Sequence, residues 1–181
     1  MAVRTTMADL ITRVREQIDD TSSTYFTDQQ VQDELDKKDV RLFIDRELLE
    51  VDTLEKVYRS RFVQFEGDSS AWSAAPTIEI YDTDSTSGTA QAPDSWSLID
   101  GTFTYTSDQN DQTRYLTGWS YDIHRAAGRL FMRLAAKESI TASAGETGGA
   151  IRGRSELRWL AQMQFVLART VSRSINRVYN G

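Results

Sequence analysis

The spacing of the apolar residues changes twice along the chain, and this change limits the possible folds. Before residue 40 the apolar residues recur with the period of an amphipathic helix. Over 40–118 the apolar segments are short, alternating and rich in β-branched and aromatic residues, as in strands. After residue 119 the helical period returns. We therefore predict an α+β fold: a helical bundle with an inserted antiparallel β region and a long C-terminal helix.

Two helices are predicted before the β region. Apolar residues at helical spacing place the first over about 6–18, and the polar run 19–23 ends it because such side chains bond to nearby backbone. Thr27 and Gln30 have the spacing of a capping box, which predicts the start of the second helix. Within the β region, Asp100-Gly101 predicts a hairpin turn.

Two more helices are predicted after the β region. The first covers about 121–138, with Arg125, Arg129 and Arg133 on the side opposite its apolar face. The last begins at a Ser155 cap, and its apolar residues on more than one side predict contact with another subunit as well as with its own chain. The predicted divisions are a helical core over 1–39 plus 119–140, the β region over 40–118, a glycine-rich hinge over 141–154 and a basic docking helix over 155–181.

Composition excludes several classes of chemistry. The chain has no cysteine and one histidine, His124, which excludes disulfides, thiolate metal sites, cysteine nucleophiles and multi-histidine metal centres. No apolar run is long enough to cross a membrane, and the first twenty residues do not resemble a signal peptide. We therefore expect a soluble protein without a membrane partner.

The remaining candidates for chemistry are weak. Residues 82–93 begin like a calcium loop, but Ser87 and Pro93 replace the required glycine and glutamate. His124 lies near Asp122 and could act as an acid or base, although a packing role is favoured. A catalytic pair among the carboxylates is not identifiable from spacing. We predict no catalytic residue, no metal and no cofactor.

Charge is distributed unevenly. The whole chain has 21 basic and 27 acidic residues, a net charge of −6. The last segment, 121–181, has ten basic and four acidic residues, and Arg169, Arg173 and Arg177 follow one another at four-residue spacing. Such a helix is compatible with nucleic acid, with an acidic protein surface or with a solvated face, and charge alone leaves these alternatives open.

Two stretches resemble a known protein family. Residues 9–15, the pair Asp19-Asp20 and the run 25–36 (YFTDQQVQDELD) resemble the start of the head-tail connector proteins of tailed bacteriophages, which are also called adaptor or head completion proteins. Residues 116–127 (LTGWSYDIHRAA) are similar to the same family's glycine-to-helix junction. The resemblance covers 6–40 and 115–138 well and the β region loosely, and 82–95 departs from it.

The resemblance implies a structural role and a set of partners. It implies a ring, of twelve copies, that lies beneath the portal, joins the capsid to the tail and lets DNA pass. The implied partners are the portal protein, further copies of the chain, the next tail-proximal neck or tail-terminator protein, and DNA only as the passing genome. The implied location is the virion, after assembly in the host cytoplasm.

The last helix is the expected docking element. Its arginines should face acidic groups of a partner, and its apolar stripe should be buried between subunits or against the portal. The residues assigned to docking on the portal or on another subunit are Arg152, Arg154, Arg158, Trp159, Leu160, Met163, Leu167, Arg169, Val171, Arg173 and Arg177.

Two other functions stay open. One is a nucleic-acid-binding module that uses the arginine helix, and it predicts salt-sensitive binding of DNA by 150–181. The other is a carbohydrate-binding or carbohydrate-acting protein, and it requires Trp72, Trp96 or Trp119 to be exposed. Trp96 alternates with Leu98 in a predicted strand and is expected in the core.

Overall fold

The α+β class predicted from the sequence is confirmed. In the computed structural model, residues 2–37, 41–52, 57–60, 63–67, 78–82, 88–107, 113–142 and 149–177 are described. Within these ranges a 3₁₀ turn over Thr5–Met7 precedes four helices, α1 (Ala8–Gln17), α2 (Asp28–Leu35), α3 (Ile123–Ala142) and α4 (Gly149–Arg177). The strands are β1 (Arg41–Asp52), β2 (Val57–Arg59), β3 (Ile78–Tyr81), β4 (Ser95–Ser97), β5 (Thr102–Thr104) and β6 (Arg114–Ser120).

The chain divides into two compact units. The helical unit contains Met1–Val3, Ile11–Asp39 and Asp122–Gly181, and the β unit contains Arg4–Leu10 and Val40–Tyr121. The long segment of the β unit begins at the residue where the insertion is predicted to begin, and it ends shortly after the predicted end. A single stretch of chain therefore leaves the helical unit, forms the sheet and returns.

The strands of the β unit all pair antiparallel, in the order β3-β6-β1-β2-β5-β4. β1 takes part in two small sheets, because it pairs with β6 as far as Leu48 and with β2 from Leu49 onward. The predicted hairpin at Asp100-Gly101 is confirmed: β4 and β5 pair, and Gly101 has φ 65°, which favours glycine. The core beneath the strands is formed by Leu48, Tyr58, Phe65, Ile78, Ile80, Leu98, Phe103, Tyr105 and Leu116.

A buried glutamate links the start of the chain to the β unit. Glu66 is 3% exposed, and its carboxylate accepts hydrogen bonds from Arg4 Nε at 2.8 Å, from the Thr6 hydroxyl at 2.6 Å and from the Tyr121 hydroxyl. The backbone N–H of Gly67 also donates to the Thr6 carbonyl. A buried carboxylate needs such partners because desolvation without them is costly.

A second buried carboxylate shapes the loop between α1 and α2. Asp20 accepts hydrogen bonds from the backbone N–H groups of residues 24–26, and it forms an ion pair with Arg15 at 3.1 Å. Arg15 also donates to Asp28 and to the Phe26 carbonyl. The loop groups are thus satisfied by one carboxylate and one guanidinium, and α2 begins at the predicted capping box.

The junction of α2 and α3 differs from the sequence prediction. The arginine stripe of α3 was expected opposite the packed face, yet Arg129 and Arg133 form ion pairs with Glu34 of α2 at 3.2 and 3.0 Å. Lys37 completes the set at 2.8 Å, and Glu34 itself is 1% exposed. A carboxylate buried on α2 thus draws the arginine side of α3 toward it, and two stripes of α3 are used in packing.

The predicted helix ends near the hinge were also inaccurate. α3 continues to Ala142, and α4 begins at Gly149 rather than at a Ser155 cap. Each glycine inside α4 costs about 1 kcal/mol relative to alanine, but the intervening Ala, Ile and Arg residues are adequate helix formers, and a helix already started propagates easily. Both ends of the predicted hinge 141–154 are therefore helical, and 143–148 lie outside the described residues.

Candidate functional site

The inner face of α4 packs against α3 through small residues. Ala161 and Ala168 are 0% and 2% exposed, which lets the two helices approach closely. Gly128 of α3 is also required for this approach, because a Cβ placed there would lie 2.7 Å from Cε1 of Phe165. The sequence could not reveal that side of α4, because alanine carries a weak hydrophobic signal.

The outer face of α4 leaves large apolar side chains exposed to solvent. Trp159, Met163, Val166 and Leu167 are 57%, 43%, 52% and 39% exposed. Their separations of three and four residues place them in one stripe along the helix. Such a stripe is unusual on a free surface, because contiguous exposed apolar patches mark interaction sites.

Exposed arginines border this stripe. Arg158 and Arg169 are both exposed and lie eleven residues, or about 16 Å, apart along the helix. Gln162, also exposed, lies between them on the same side. We call these residues together with Trp159, Met163, Val166 and Leu167 the outer α4 face. Glu156 is the one acidic residue in the sequence of α4, so a partner of this face would be apolar with carboxylates at its edge.

The structure describes only part of the predicted docking set. Arg158, Trp159, Met163, Leu167 and Arg169 are exposed on the outer side of α4, as docking requires. Leu160 is half-buried, so the predicted stripe of Leu160, Met163, Leu167 and Val171 does not lie wholly on one exposed face. The side chains of Arg152, Arg154, Val171, Arg173 and Arg177 lie outside the described residues.

Val166 was missing from the predicted set. Its signal was present in the sequence, because it lies seven residues after Trp159 and three after Met163. The prediction followed the Leu160 stripe instead, since both stripes are apolar and periodicity does not say which one packs inside the chain. The contact with α3 makes that distinction.

The candidate acid–base pair does not form. His124 Nδ1 lies 2.8 Å from Oε1 of Gln164 on α4, and Gln164 Nε2 donates to Gln17 on α1 at 3.2 Å. Asp122 instead caps α3, where it accepts from the backbone N–H of Arg125 at 2.9 Å. His124 therefore takes part in helix packing.

The possible metal sites gain no support within the described part of the chain. Asp82, the first residue of the calcium-like loop, accepts a hydrogen bond from the backbone N–H of Thr89 at 2.9 Å, and residues 83–87 lie outside that part. Among the residues described, no three histidine, cysteine, aspartate or glutamate side chains are grouped to hold a metal ion. No described helix is long and apolar enough to span a bilayer.

The tryptophans required by the carbohydrate hypothesis have different environments. Trp96 was expected in the core, and it is half-buried and packs against the core of the β unit without belonging to it. Trp119 is 37% exposed, and its direct cross-strand neighbour is Leu42 rather than a second aromatic ring. Trp72 lies outside the described residues.

Two pKa shifts in the β unit have structural causes. Burial raises the pKa of Tyr105, and the Arg114 guanidinium, 5.5 Å from the ring centroid, opposes the shift. The backbone N–H and the hydroxyl of Thr106 donate to Asp94, which holds the pKa of that exposed carboxyl below its ordinary value of 3.8. Both shifts arise from contacts that shape the sheet and its turns.

Comparison with known proteins gives no further assignment. No protein-family model, curated protein or solved structure matches the chain.

Proposed function

We propose that the chain is a structural adaptor of a tailed-bacteriophage neck. In this proposal it is a helical bundle with an inserted antiparallel β region and a long C-terminal helix. Copies form a ring, twelve in number, beneath the portal and join the capsid to the next tail-proximal neck or tail-terminator protein. DNA passes through the ring, and the protein resides in the virion after assembly in the host cytoplasm.

The exposed outer α4 face is the observation that carries this proposal. Its four apolar side chains are each about half exposed, and burying the remainder against a partner would contribute on the order of 4 kcal/mol. This free energy is large enough to help hold an assembly together, and it is gained only when a partner covers the exposed side chains. α4 is therefore the docking helix, and its partner is the portal or another copy.

The arrangement of the arginines supports a protein partner for α4. Among the α4 residues whose side chains are described, Arg158 and Arg169 border an apolar stripe and do not form a continuous basic surface. A contact with the phosphate backbone would use the arginines and leave Trp159 and Val166 in water, whereas an acidic apolar surface would use both. A protein partner thus accounts for more of the face.

Nucleic-acid binding is the second candidate, and the exposed arginines favour it. It predicts that DNA binds with a steep dependence on salt, because each phosphate contact releases counterions. Binding of that kind, together with indifference to phage portal rings, would select this function over the adaptor role.

Leu167→Asp tests the adaptor proposal. The change places a carboxylate in the docking surface, and we expect it to abolish cosedimentation with a candidate portal ring or with other copies. Ala136→Asp is the matched control, because Ala136 is an exposed residue of α3 outside the outer α4 face. Circular dichroism should show that both variants keep their helices and strands.

The opposite result is equally clear. If Leu167→Asp assembles as well as the Ala136→Asp control, then the outer α4 face is not the docking surface, and the observation that carries the proposal loses its force.

A further inference from the structure

The β unit also has an exposed face, formed by the three strands β3, β6 and β1. Ile78, Ile80 and Leu116 are buried on the core side of these strands. The register places the alternate residues of the strands on the opposite side, away from the core. We call this side the outer sheet face, and its described residues are Leu42, Glu47, Glu79, Tyr81, Tyr115, Thr117 and Trp119.

The outer sheet face contains an apolar pair. Leu42 of β1 lies directly opposite Trp119 of β6, and the two are 46% and 37% exposed. Tyr81 and Tyr115, also directly opposite each other, are half-buried. Residues directly opposite each other on neighbouring strands are close enough to form one continuous surface, so the face offers apolar and aromatic area to a partner.

Carboxylates lie at the two edges of this apolar area. Glu47 is opposite Tyr115 and Glu79 is opposite Thr117, so both belong to the same side of the sheet, on the two strands that flank β6. Both are exposed. Arg46 is exposed as well, but its register partner Leu116 belongs to the core side. The outer sheet face is thus apolar with an acidic border.

The net charges of the two units have opposite signs. The β unit has seven basic and fifteen acidic residues, a net charge of −8. The helical unit has fourteen basic and twelve acidic residues, a net charge of +2, and its segment 122–181 contributes ten of the basic residues. Two copies would therefore attract each other when the α4 region of one meets the β unit of the other.

The dimensions of the two faces also agree. Glu47 and Glu79 lie two strands apart and are offset by two residues along the strands, which separates them by about 12 Å. Arg158 and Arg169 are separated by about 16 Å along α4. The aliphatic part of an arginine side chain can pack on an apolar surface while its guanidinium group stays free to move. The two guanidinium groups can therefore reach carboxylates that are about 4 Å closer together than the arginine positions on the helix.

Self-pairing of the outer α4 face is disfavoured. A two-fold contact places the same patch on both sides, so it brings two sets of arginines to the interface and no carboxylate of the outer α4 face to pair with them. Head-to-tail contact between two different faces pairs the arginines with carboxylates instead, and it repeats from copy to copy, giving a ring where the rotation between copies closes.

We propose that the outer α4 face of one copy docks on the outer sheet face of a second copy. The apolar stripe of α4 covers Leu42 and Trp119, and Arg158 and Arg169 face Glu79 and Glu47. This contact deepens the proposed function, since it rests on the ring and names the faces that join neighbouring subunits.

Cross-linking of single-cysteine variants tests the contact, because the natural sequence has no cysteine. Val166→Cys marks the outer α4 face and Thr117→Cys marks the outer sheet face. We expect a short bismaleimide to join a tagged copy of one variant to an untagged copy of the other, and to give little product with either variant alone. Asp100→Cys is the control for the sheet variant, because Asp100 is exposed at the β4–β5 turn.

Charge reversal tests the predicted pairs. Glu47→Lys/Glu79→Lys, introduced into the Thr117→Cys copy, should weaken cross-linking about tenfold, because two border charge pairs become repulsive. Arg158→Glu/Arg169→Glu in the Val166→Cys copy should restore it. If the two pairs of substitutions acted independently, the combined variants would cross-link even less than either alone. Recovery of the cross-linked product therefore supports direct pairing between these charges.

Several results would overturn the contact. These are equal product with Asp100→Cys, no product at any concentration, or no effect of charge reversal. Cosedimentation with a portal ring is measured on the same samples and separates the two proposals. Cross-linking without portal binding supports the contact and rejects the adaptor function, and portal binding without cross-linking does the reverse.

Discussion

Replacing Glu34 by glutamine tests whether one buried carboxylate joins α2 to α3. The change keeps the size of the side chain and removes the charge that faces Arg129, Arg133 and Lys37 at 2.8–3.2 Å. Hydrogen bonds to charged groups each contribute about 1.5–3 kcal/mol. The cations are 25%, 41% and 54% exposed and regain part of their hydration, so we expect a total loss of about 2–3 kcal/mol in the free energy of unfolding.

The assay is urea unfolding followed by far-UV circular dichroism, with Glu16→Gln as the matched control. Glu16 forms an ion pair with Arg13 on α1, but the two side chains are 45% and 51% exposed. An exposed pair of this kind contributes less than about 1 kcal/mol, so the control should unfold close to the wild type. Equal effects of the two substitutions would refute the claim that the Glu34 cluster holds α2 on α3.

Three further changes test other parts of the structure. Gly128→Ala gains about 1 kcal/mol of helix propensity, but overpacking against Phe165 costs about 1–3 kcal/mol, so we expect a lower melting temperature that Phe165→Leu in the same chain corrects. Asp20→Asn should cost about 1.5–3 kcal/mol in urea unfolding, since it removes the buried charge that Arg15 and the loop N–H groups bond to while Arg15 keeps its ion pair with Asp28, and an effect as small as that of Glu16→Gln would contradict the loop account. Asp94 has a lowered folded pKa, so its stabilisation is present above the ordinary value of 3.8 and is lost as pH falls through the folded pKa. The difference in the free energy of unfolding between wild type and Asp94→Asn should therefore disappear once the pH is below the folded pKa of Asp94. Carbon NMR should show that the Asp94 carboxyl titrates below pH 3.8, and a midpoint above pH 3.8 would contradict this.

Local signals in the sequence were sufficient for much of the fold. The capping box is formed as predicted, with Thr27 Oγ1 accepting from the Gln30 N–H at 3.3 Å and Gln30 Oε1 accepting from the Thr27 N–H at 2.9 Å. The turn at Gly101 and the switch of period near residue 40 were also found correctly. Each of these features depends on residues only a few positions apart, which a sequence pattern contains.

Features set by distant residues were not predictable in the same way. Glu34 and Arg129 are 95 positions apart, so no local period could show that the arginine side of α3 packs on α2. The choice of inner face on α4 was likewise undetermined, because apolar residues occupy more than one side and alanines such as Ala161 give little signal. Five residues of the predicted docking set, Arg158, Trp159, Met163, Leu167 and Arg169, are exposed, but which side of the helix is exposed required the structure.

The mass of the purified chain by native mass spectrometry, alone and with a candidate portal ring, tests the adaptor account most directly. The account predicts a defined multimer of the 20.5 kDa chain, either alone or once the portal is added, and loss of that multimer in Leu167→Asp. A chain that stays monomeric with the portal, and instead binds DNA with a steep dependence on salt, would contradict the account and assign the arginines of α4 to nucleic acid.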